Sequence, residues 1–483
     1  MNRAYRIVFN AAKGLLQVAS ELTRSRGKQP GERSRRVAAR RSCRRTARRP
    51  RLGEAVGVAL AMGLGMASTP SNAATPLACP QFGPYTLTGA TNNYGTCSLG
   101  YGVTLTNSGS TSILTNESPG SLYTALGTLN NANSAYLFNY GTLGGFGAVN
   151  NTTSASLLNA GTLETTVWND LGSYFVGQLT NASGGLLLNE VGGTLDNEGD
   201  LTNKGANSAV FNGGKLINHA YTGVSGGRTG GRLSNDAYLS NSGALINQSS
   251  GTVSNGSSGY LSNTGSLTNQ SGGSLNNAGT LTNGSSGTLN NAGTLNNESG
   301  GTLTLASGSD YNFTGGTLNN NGTLALGRTF TFGATSAGTV NLNAGGTVNN
   351  SATLTNAAGH TQDNYGTLIN QPGGTLTNAG TLINYGTIRG SHGGNGGYLY
   401  SGFSLEGGTG DAGGAGVFLS GTDARLTSAG QIVGGAGGNG GHGGSFSNAK
   451  GGDGGTGGAG VSVSGSGTRL TSSGQIVGGA GGN

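Results

Sequence analysis

Three cysteines, four histidines and eighteen carboxylates are the side chains in this 483-residue chain best suited to nucleophilic, metal-binding or acid–base chemistry. His219, His360, His392 and His442 show no H-x-x-x-H or His-Cys spacing, so they read as surface residues and not as metal ligands. No G-x-S-x-G or G-D-S-G pattern marks a serine nucleophile, and the scattered acids give no pair for acid–base work. Asp453, within Gly451-Gly452-Asp453-Gly454-Gly455, is the one carboxylate its repeat offers, whereas calcium takes about six to eight oxygens. The glycine runs do not sit between a strand and a helix, which leaves phosphate binding unsupported. No catalytic, cofactor-binding or metal residue is assigned, and the chain is not expected to be an enzyme within 1–483. Cys79 and Cys97 remain as candidates for a structural disulfide, if the chain meets an oxidising compartment. A lipidated Cys79 is disfavoured by Pro76, which stands where a large aliphatic residue is needed.

The elements around these residues are short and repetitive. From about Leu233 the chain repeats G-T-L-x-N, as in Gly279-Thr280-Leu281 and Gly287-Thr288-Leu289. Leu261, Leu267, Leu275, Leu281, Leu289, Leu295 and Leu303 alternate in steps of six and eight. The beat returns at Val340, Val348 and Leu354, then at Leu368, Leu376, Leu382 and Ile388. A helix would space its apolar residues by three and four, so each unit reads as a very short strand between turns. Such a strand becomes stable when copies stack on it at about 4.8 Å. The fold class is therefore all-β, a right-handed parallel β-helix, or β-solenoid. Three strands per coil gives about 20–22 residues per coil, and two strands is the alternative. Roughly 14 coils over residues 100–389 would make a rod about 65 Å long. The Asn two places after Leu either shares the Leu face as a hydrogen-bonded ladder or opens the turn. Glycine in each connection would serve the turn. The aromatics Tyr136, Phe138, Tyr140, Phe146, Trp168, Tyr174 and Phe175 would fill a wider core near the N-terminal end or decorate it; the alternative is a sugar- or protein-binding patch.

After Ile388 the period becomes 44 residues. Arg425-Leu426-Thr427-Ser428 returns as Arg469-Leu470-Thr471-Ser472. Two coils of about 22 fit that period, so the solenoid is expected to continue, with glycine-rich loops leaving one edge. The sequence stops within a repeat and without a terminal cap, as an N-terminal fragment of a longer protein would.

The first 51 residues hold 16 of the 25 Lys and Arg; residues 52–483 hold 9 basic and 16 acidic side chains, a net of −7. The arginine run, an apolar stretch at 55–67 and the small-residue site Ser71-Asn72-Ala73 follow the order of a secretory signal cleaved after Ala73. The apolar stretch is too short to span a bilayer, which takes about 20 residues. The basic run holds the N-terminus on the cytoplasmic side, and nucleic acid is not an expected partner. Cys43 leaves with this segment. The mature chain crosses an oxidising periplasm, where closing the Cys79–Cys97 loop would contribute on the order of 3 kcal/mol.

Residues 1–28 carry M-N-R-x-Y-R at the start, Phe9-Asn10, Ser20-Glu21-Leu22 and the closing Arg26-Gly27-Lys28. This resembles the extended signal peptide of type V secreted proteins of Gram-negative bacteria, the autotransporters and their two-partner relatives. The resemblance implies Sec export, the outer-membrane assembly machinery as partner during biogenesis, and arrival at the cell surface, the outer membrane or the medium. The expected organisation is 1–73 signal (1–28 extension, 31–54 basic region, 55–67 apolar core), 74–120 N-terminal cap with the Cys pair, 121–389 solenoid and 390–483 glycine-rich continuation. The expected function is that of an autotransporter passenger acting as an adhesin or surface-interaction protein in adhesion, aggregation or biofilm, with a host or bacterial receptor, no cofactor and no membrane span in 1–483. The alternatives are the stalk of a secreted protease or lipase whose catalytic domain lies elsewhere, and a two-partner haemagglutinin-like exoprotein, though no N-P-N triplet supports the latter.

Overall fold

The computed structural model describes residues 75–170, 173–219, 230–401, 404–443 and 450–483, together with two paired strands, Tyr5–Asn10 and Leu15–Ser20. The chain divides into two units, Met1–Asn72 and Ala73–Asn483. The basic run, the apolar stretch and the expected cleavage point at Ala73 lie outside the described residues.

The second unit is a parallel β-helix with three faces. Each coil runs from the first face, through the second, to the third. Successive first-face strands are Thr252–Asn255, Ser274–Asn277 and Thr294–Asn297. Their second-face followers are Tyr260–Asn263, Thr280–Asn283 and Thr302–Leu305, and the first two coils close on Ser266–Asn269 and Thr288–Asn291. The first face holds 16 strands among the described residues, thirteen of them between Thr104 and Asn384. Coils reach back into the Cys-bearing segment: Pro84–Leu87 pairs with Thr104–Ser108, and Cys97 pairs in register with Leu122. Cys79 and Cys97 form a disulfide, with their Cα atoms 5.2 Å apart.

The register explains the repeat. Leu275 pairs with Leu295 and Asn277 with Asn297, and the same holds on face after face. Each T-L-x-N strand buries its Leu and Asn and turns Thr and x outward. The core is thus a column of leucines edged by a column of asparagines.

The asparagine column does both jobs that its position allows. The Asn255 side-chain amide donates to Oδ1 of Asn277 at 2.8 Å, and it also lies within bonding distance of the Thr280 carbonyl, 3.0 Å, and the Gly259 carbonyl, 3.2 Å. Asn235 donates to its Oδ1 at 2.7 Å. The ladder runs unbroken on the first face from Asn107 to Asn320, and on the second from Asn93 to Asn283. The amide thus adds a second donor at corner carbonyls such as that of Gly259, which already accepts the Thr280 backbone N–H at 2.9 Å.

The glycine before each strand has a steric cause more than a conformational one. A Cβ on Gly259 would sit 2.3 Å from the carbonyl oxygen of Asn235, and one on Gly279 would sit 2.2 Å from that of Gly256. Only some turns, such as that at Gly300 with φ near 85°, need the left-handed backbone.

Between Asn297 and Asn350 the ladder positions change character. Leu305, Phe313, Leu326, Phe332 and Leu342 occupy them, with Asn320 alone keeping the amide. Tyr311 stacks on Phe330 at 4.7 Å, and Phe313 and Phe332 pack edge-on to these two. Arg328 covers Tyr311 and pairs with Asp310 at 3.1 Å.

The glycine-rich segments differ from the loops expected of them. They form an ordered two-row array. Segments 390–397, 434–443 and 478–483 leave the end of the second face, and segments 408–416 and 451–460 return to start the third. Gly435, Gly438 and Gly441 donate backbone N–H bonds to the carbonyls of Gly414, Asp411 and Gly408. Gly434, Gly437 and Gly440 donate to Val477, Ala480 and Asn483. Bonds to a given neighbour recur every third residue, which is the period of the polyproline II helix and not of a strand. The first set runs antiparallel and the second parallel, so outgoing segments form one row and returning segments the other. In the G-G-x unit both glycines face neighbours. A Cβ on Gly437 would meet the Gly455 carbonyl oxygen at 2.0 Å, and one on Gly438 would meet that of Gly394 at 1.9 Å. The x residues look outward, where the Asn439 N–H bonds Asn395 Oδ1 at 3.0 Å and the Asn483 N–H bonds Asn439 Oδ1 at 3.2 Å.

Candidate interaction surface

With the core filled and the ladders closed on themselves, chemistry toward a partner falls to the outward Thr and x positions. The three faces present different ones.

The first face is polar. Its outward rows include Asn130 bonded to Asn150, and a second external ladder from Asn276 through Asn296 and Asn319 to Asn341. Gln178, Asp200 and Arg232 stand in register around a shallow groove that also exposes Lys204.

The third face carries a charged cluster. His219 Nε2 lies 2.6 Å from Asp196 Oδ1 and 3.8 Å from Glu198 Oε1. Glu164 pairs in register with Asp196, and its carboxyl is raised above the ordinary value by burial first, then by Asp196 and Glu198. Among the described residues no set of three or more His, Cys, Asp and Glu could hold a metal ion.

The second face differs from both. Over seven strands, from Ile113–Asn116 to Tyr260–Asn263, one outward row reads Ile113, Tyr136, Ser156, Leu186, Ala209, Tyr238, Tyr260. The other reads Thr115, Phe138, Leu158, Leu188, Phe211, Ser240, Ser262. No position in either row is charged. Tyr238 stacks on Tyr260 with centroids 5.5 Å apart, and Phe211 tilts against Tyr238 at 5.7 Å. Burial in this stripe pushes the Tyr238 phenol above its ordinary value.

Of the aromatics singled out in the sequence, Tyr136, Phe138, Tyr140 and Phe146 are placed outside the buried core. Tyr136 and Phe138 flank the buried Leu137 and face outward, and Tyr140 is exposed at the next corner. Phe146 is half-buried beside a corner groove. Trp168, Tyr174 and Phe175 belong to an antiparallel hairpin, Val167–Asp170 with Ser173–Val176, inserted between the third and first faces; their side chains lie outside the described residues. Sequence reading missed Leu158, Leu188, Phe211, Tyr238 and Tyr260 as members of one stripe. The signal was available: they flank buried apolar residues in every third strand, but only a fixed coil assignment aligns them. Of the histidines, His392 and His442 are exposed, but His219 and His360 are half-buried. His360 bonds Asn356 Oδ1 through Nδ1 at 2.8 Å, and burial lowers its pKa.

Comparison with known proteins agrees with the export signal. Residues 1–49 match the extended signal peptide of the type V secretion system. No curated protein matches the chain. Among solved structures, the crystal structure of a TibC-catalyzed hyper-glycosylated TibA fragment is similar at 15% identity, over 80% of this chain and 98% of that one. Its TM-score of 0.18 is too low to extend the likeness to any surface or site. The extended signal peptide marks this chain as a protein of the type V secretion route. The β-solenoid is thus a passenger exported to the cell surface, the outer membrane or beyond.

Proposed function

We propose that this passenger acts as an adhesin or surface-interaction protein of the autotransporter kind, and that it works by binding without catalysing a reaction. The observation that supports this most is the outer side of the second face, uncharged and rich in aromatic and aliphatic side chains over seven consecutive strands. A continuous apolar patch on an exported protein stays exposed to water at a cost that only a partner removes. The repeat suits the route as well, since each coil contacts only its neighbours and can fold as it emerges.

The test is a strain lacking the chain, compared with its parent in binding to host cells and abiotic surfaces, in aggregation and in biofilm mass. A loss in at least one, restored by complementation, is the expected result. Unchanged behaviour in all of them would refute the reading. A screen of the secreted full-length protein for protease and lipase activity separates it from the enzyme-stalk alternative, and no activity is expected.

A further inference from the structure

We propose that a cleft on the first face, between the strands Thr339–Leu342 and Thr361–Asn364, binds a calcium ion through the Asp363 carboxylate and the Asn341 side-chain oxygen. This site lies away from the second face and does not depend on the adhesin reading.

Three observations meet there. The first is an opening in the sheet. Thr339–Leu342 pairs along its whole length with Thr317–Asn320 below it, and Thr361–Asn364 does so with Thr381–Asn384 above it. Between the two, the only register pair is Leu342 with Asn364. The backbone bond that opens each strand runs from Thr339 to the Gly316 carbonyl at 3.0 Å and from Thr381 to that of His360 at 2.8 Å. Among the described residues, Thr361 does not make it to Gly338. The 3-10 turn Thr335–Ala337 reshapes the corner just before. A cleft of about 230 Å³ results, with Thr339, Asn341, His360, Gln362 and Asp363 in its lining. Gln362 takes a buried place in the row of Leu382 and sends its amide back to the Val340 carbonyl at 3.3 Å.

The second is the end of the external ladder. Asn296 donates to Asn276, Asn319 to Asn296 and Asn341 to Asn319, so each Oδ1 takes its donor from the next coil. After Asn341 the row continues with Asp363, whose carboxylate has no proton to give. Two acceptor oxygens therefore share the cleft. Asp363 Oδ1 is shielded from solvent and has no hydrogen-bond donor, and Ile383 stands in register on its other side.

The third is charge. Asp363 is the only Asp, Glu, Lys or Arg between Arg328 and Arg389. His360 bonds Asn356 Oδ1 through Nδ1, and burial lowers its pKa, so it brings no compensating charge at neutral pH. A water donating to both oxygens would leave the carboxylate unbalanced, whereas a cation answers both needs.

Calcium suits these donors. It takes carboxylate, amide and backbone carbonyl oxygens together with water in an irregular shell, whereas magnesium demands a near-ideal octahedron. The Gly338 carbonyl at the opened corner offers a further oxygen. One carboxylate among neutral oxygens sets the affinity in the roughly 10⁻⁴–10⁻³ M range of extracellular modules. Because the site draws on amide and carbonyl oxygens, no cluster of acids marks it.

The experiment uses the full secreted chain, freed of metal, and calcium chloride as the probe. Calorimetric titration should show binding in that range, and hydrogen exchange should slow at least about tenfold in Thr339–Leu342 and Thr361–Asn364 when calcium is added. Asp363→Asn should fold as wild type, because its amide extends the ladder to Asn341. It should lose calcium binding at least about tenfold and show slow exchange in these strands with or without the ion. Asp453→Asn in the glycine array should bind calcium as wild type does. Terbium, a luminescent stand-in for calcium, should be sensitised by Tyr365, which also lines the cleft, and calcium should quench the signal. Calcium binding retained by Asp363→Asn, or a wild-type response no greater than that to sodium chloride of equal ionic strength, would overturn the proposal.

Discussion

The laddered coils between Thr104 and Asn297 and the glycine array from 390 to 483 order the same chain by opposite means. In the coils, backbone pairing has period two, so every second side chain points into a dry core and must match the residue stacked on it. In the array, pairing has period three and there is no side-chain core at all. Two glycines in each three place backbone against backbone, and the third residue is the one that can carry a side chain. The comparison shows what each repeat must preserve: a Leu–Asn pair in one case, an absence of Cβ atoms in the other. It also separates display from support. The coils hold outward side chains at strand spacing on three faces, whereas the array displays one residue in three.

The largest effect should come from adding a Cβ to the array. Gly438→Val places atoms within 1.9 Å of the Gly394 carbonyl, so residues 390–483 should lose their order while the laddered coils remain. Limited proteolysis should yield new cuts confined to the array. Asn439→Ala next to it should yield none, because that side chain faces outward.

Next comes the ladder. Asn255→Ala breaks the column on both sides, removing the Oδ1 that accepts from Asn235 and the amide that donates to Asn277 Oδ1. The cost should be about 3 kcal/mol, read as faster hydrogen exchange in the coils on either side. Leu305 and Leu326 sharpen the point, since they interrupt the second-face ladder between Asn283 and Asn350. Leu305→Asn alone should destabilise by burying an amide against Leu326. The double variant with Leu326→Asn should cost less than the sum of the two singles, because it reconnects the column. Strict additivity would contradict the cooperative ladder.

A loss of similar size, on the order of 3 kcal/mol, should follow Cys97→Ser, confined to the first coils. The smallest effect belongs to Glu164. Its raised pKa means that the folded state holds a proton more tightly than the unfolded chain does. Stability should therefore rise as pH falls from neutral through that raised value toward the ordinary carboxylate range. Glu164→Gln should flatten this dependence relative to wild type in thermal melts, with the Asp196–His219 pair retained as background.

Much of the coil was legible in the sequence. The alternation of six and eight between leucines is the alternation of short and long corners in a three-faced coil, and the 44-residue period does carry the solenoid onward. The side of the strand that Asn takes was open until register was known, because both a ladder and a turn satisfy an amide. The beat vanished between Leu303 and Val340 because phenylalanine and leucine there fill the Asn positions, and an all-apolar core has no polar marker. The glycine array was hidden for a different reason. G-G-x runs have the composition of flexible loops, and only neighbouring segments 44 residues apart give each N–H its acceptor. The outer stripe was scattered by its own geometry: Phe138, Leu188 and Tyr238 are distant in sequence and become neighbours only when coils of unequal length are stacked.

The central claim is that the passenger binds through side chains outside the second face, with the ladder and the array as support. The most direct measurement is adhesion and clumping of cells displaying the full chain with Phe138→Glu and Tyr238→Glu together, against cells with Thr128→Glu and Ser254→Glu on the first face, at equal surface display. The account predicts that the second-face pair loses both activities and the first-face pair keeps them. Retention by the second-face pair, or equal loss in both, would contradict it.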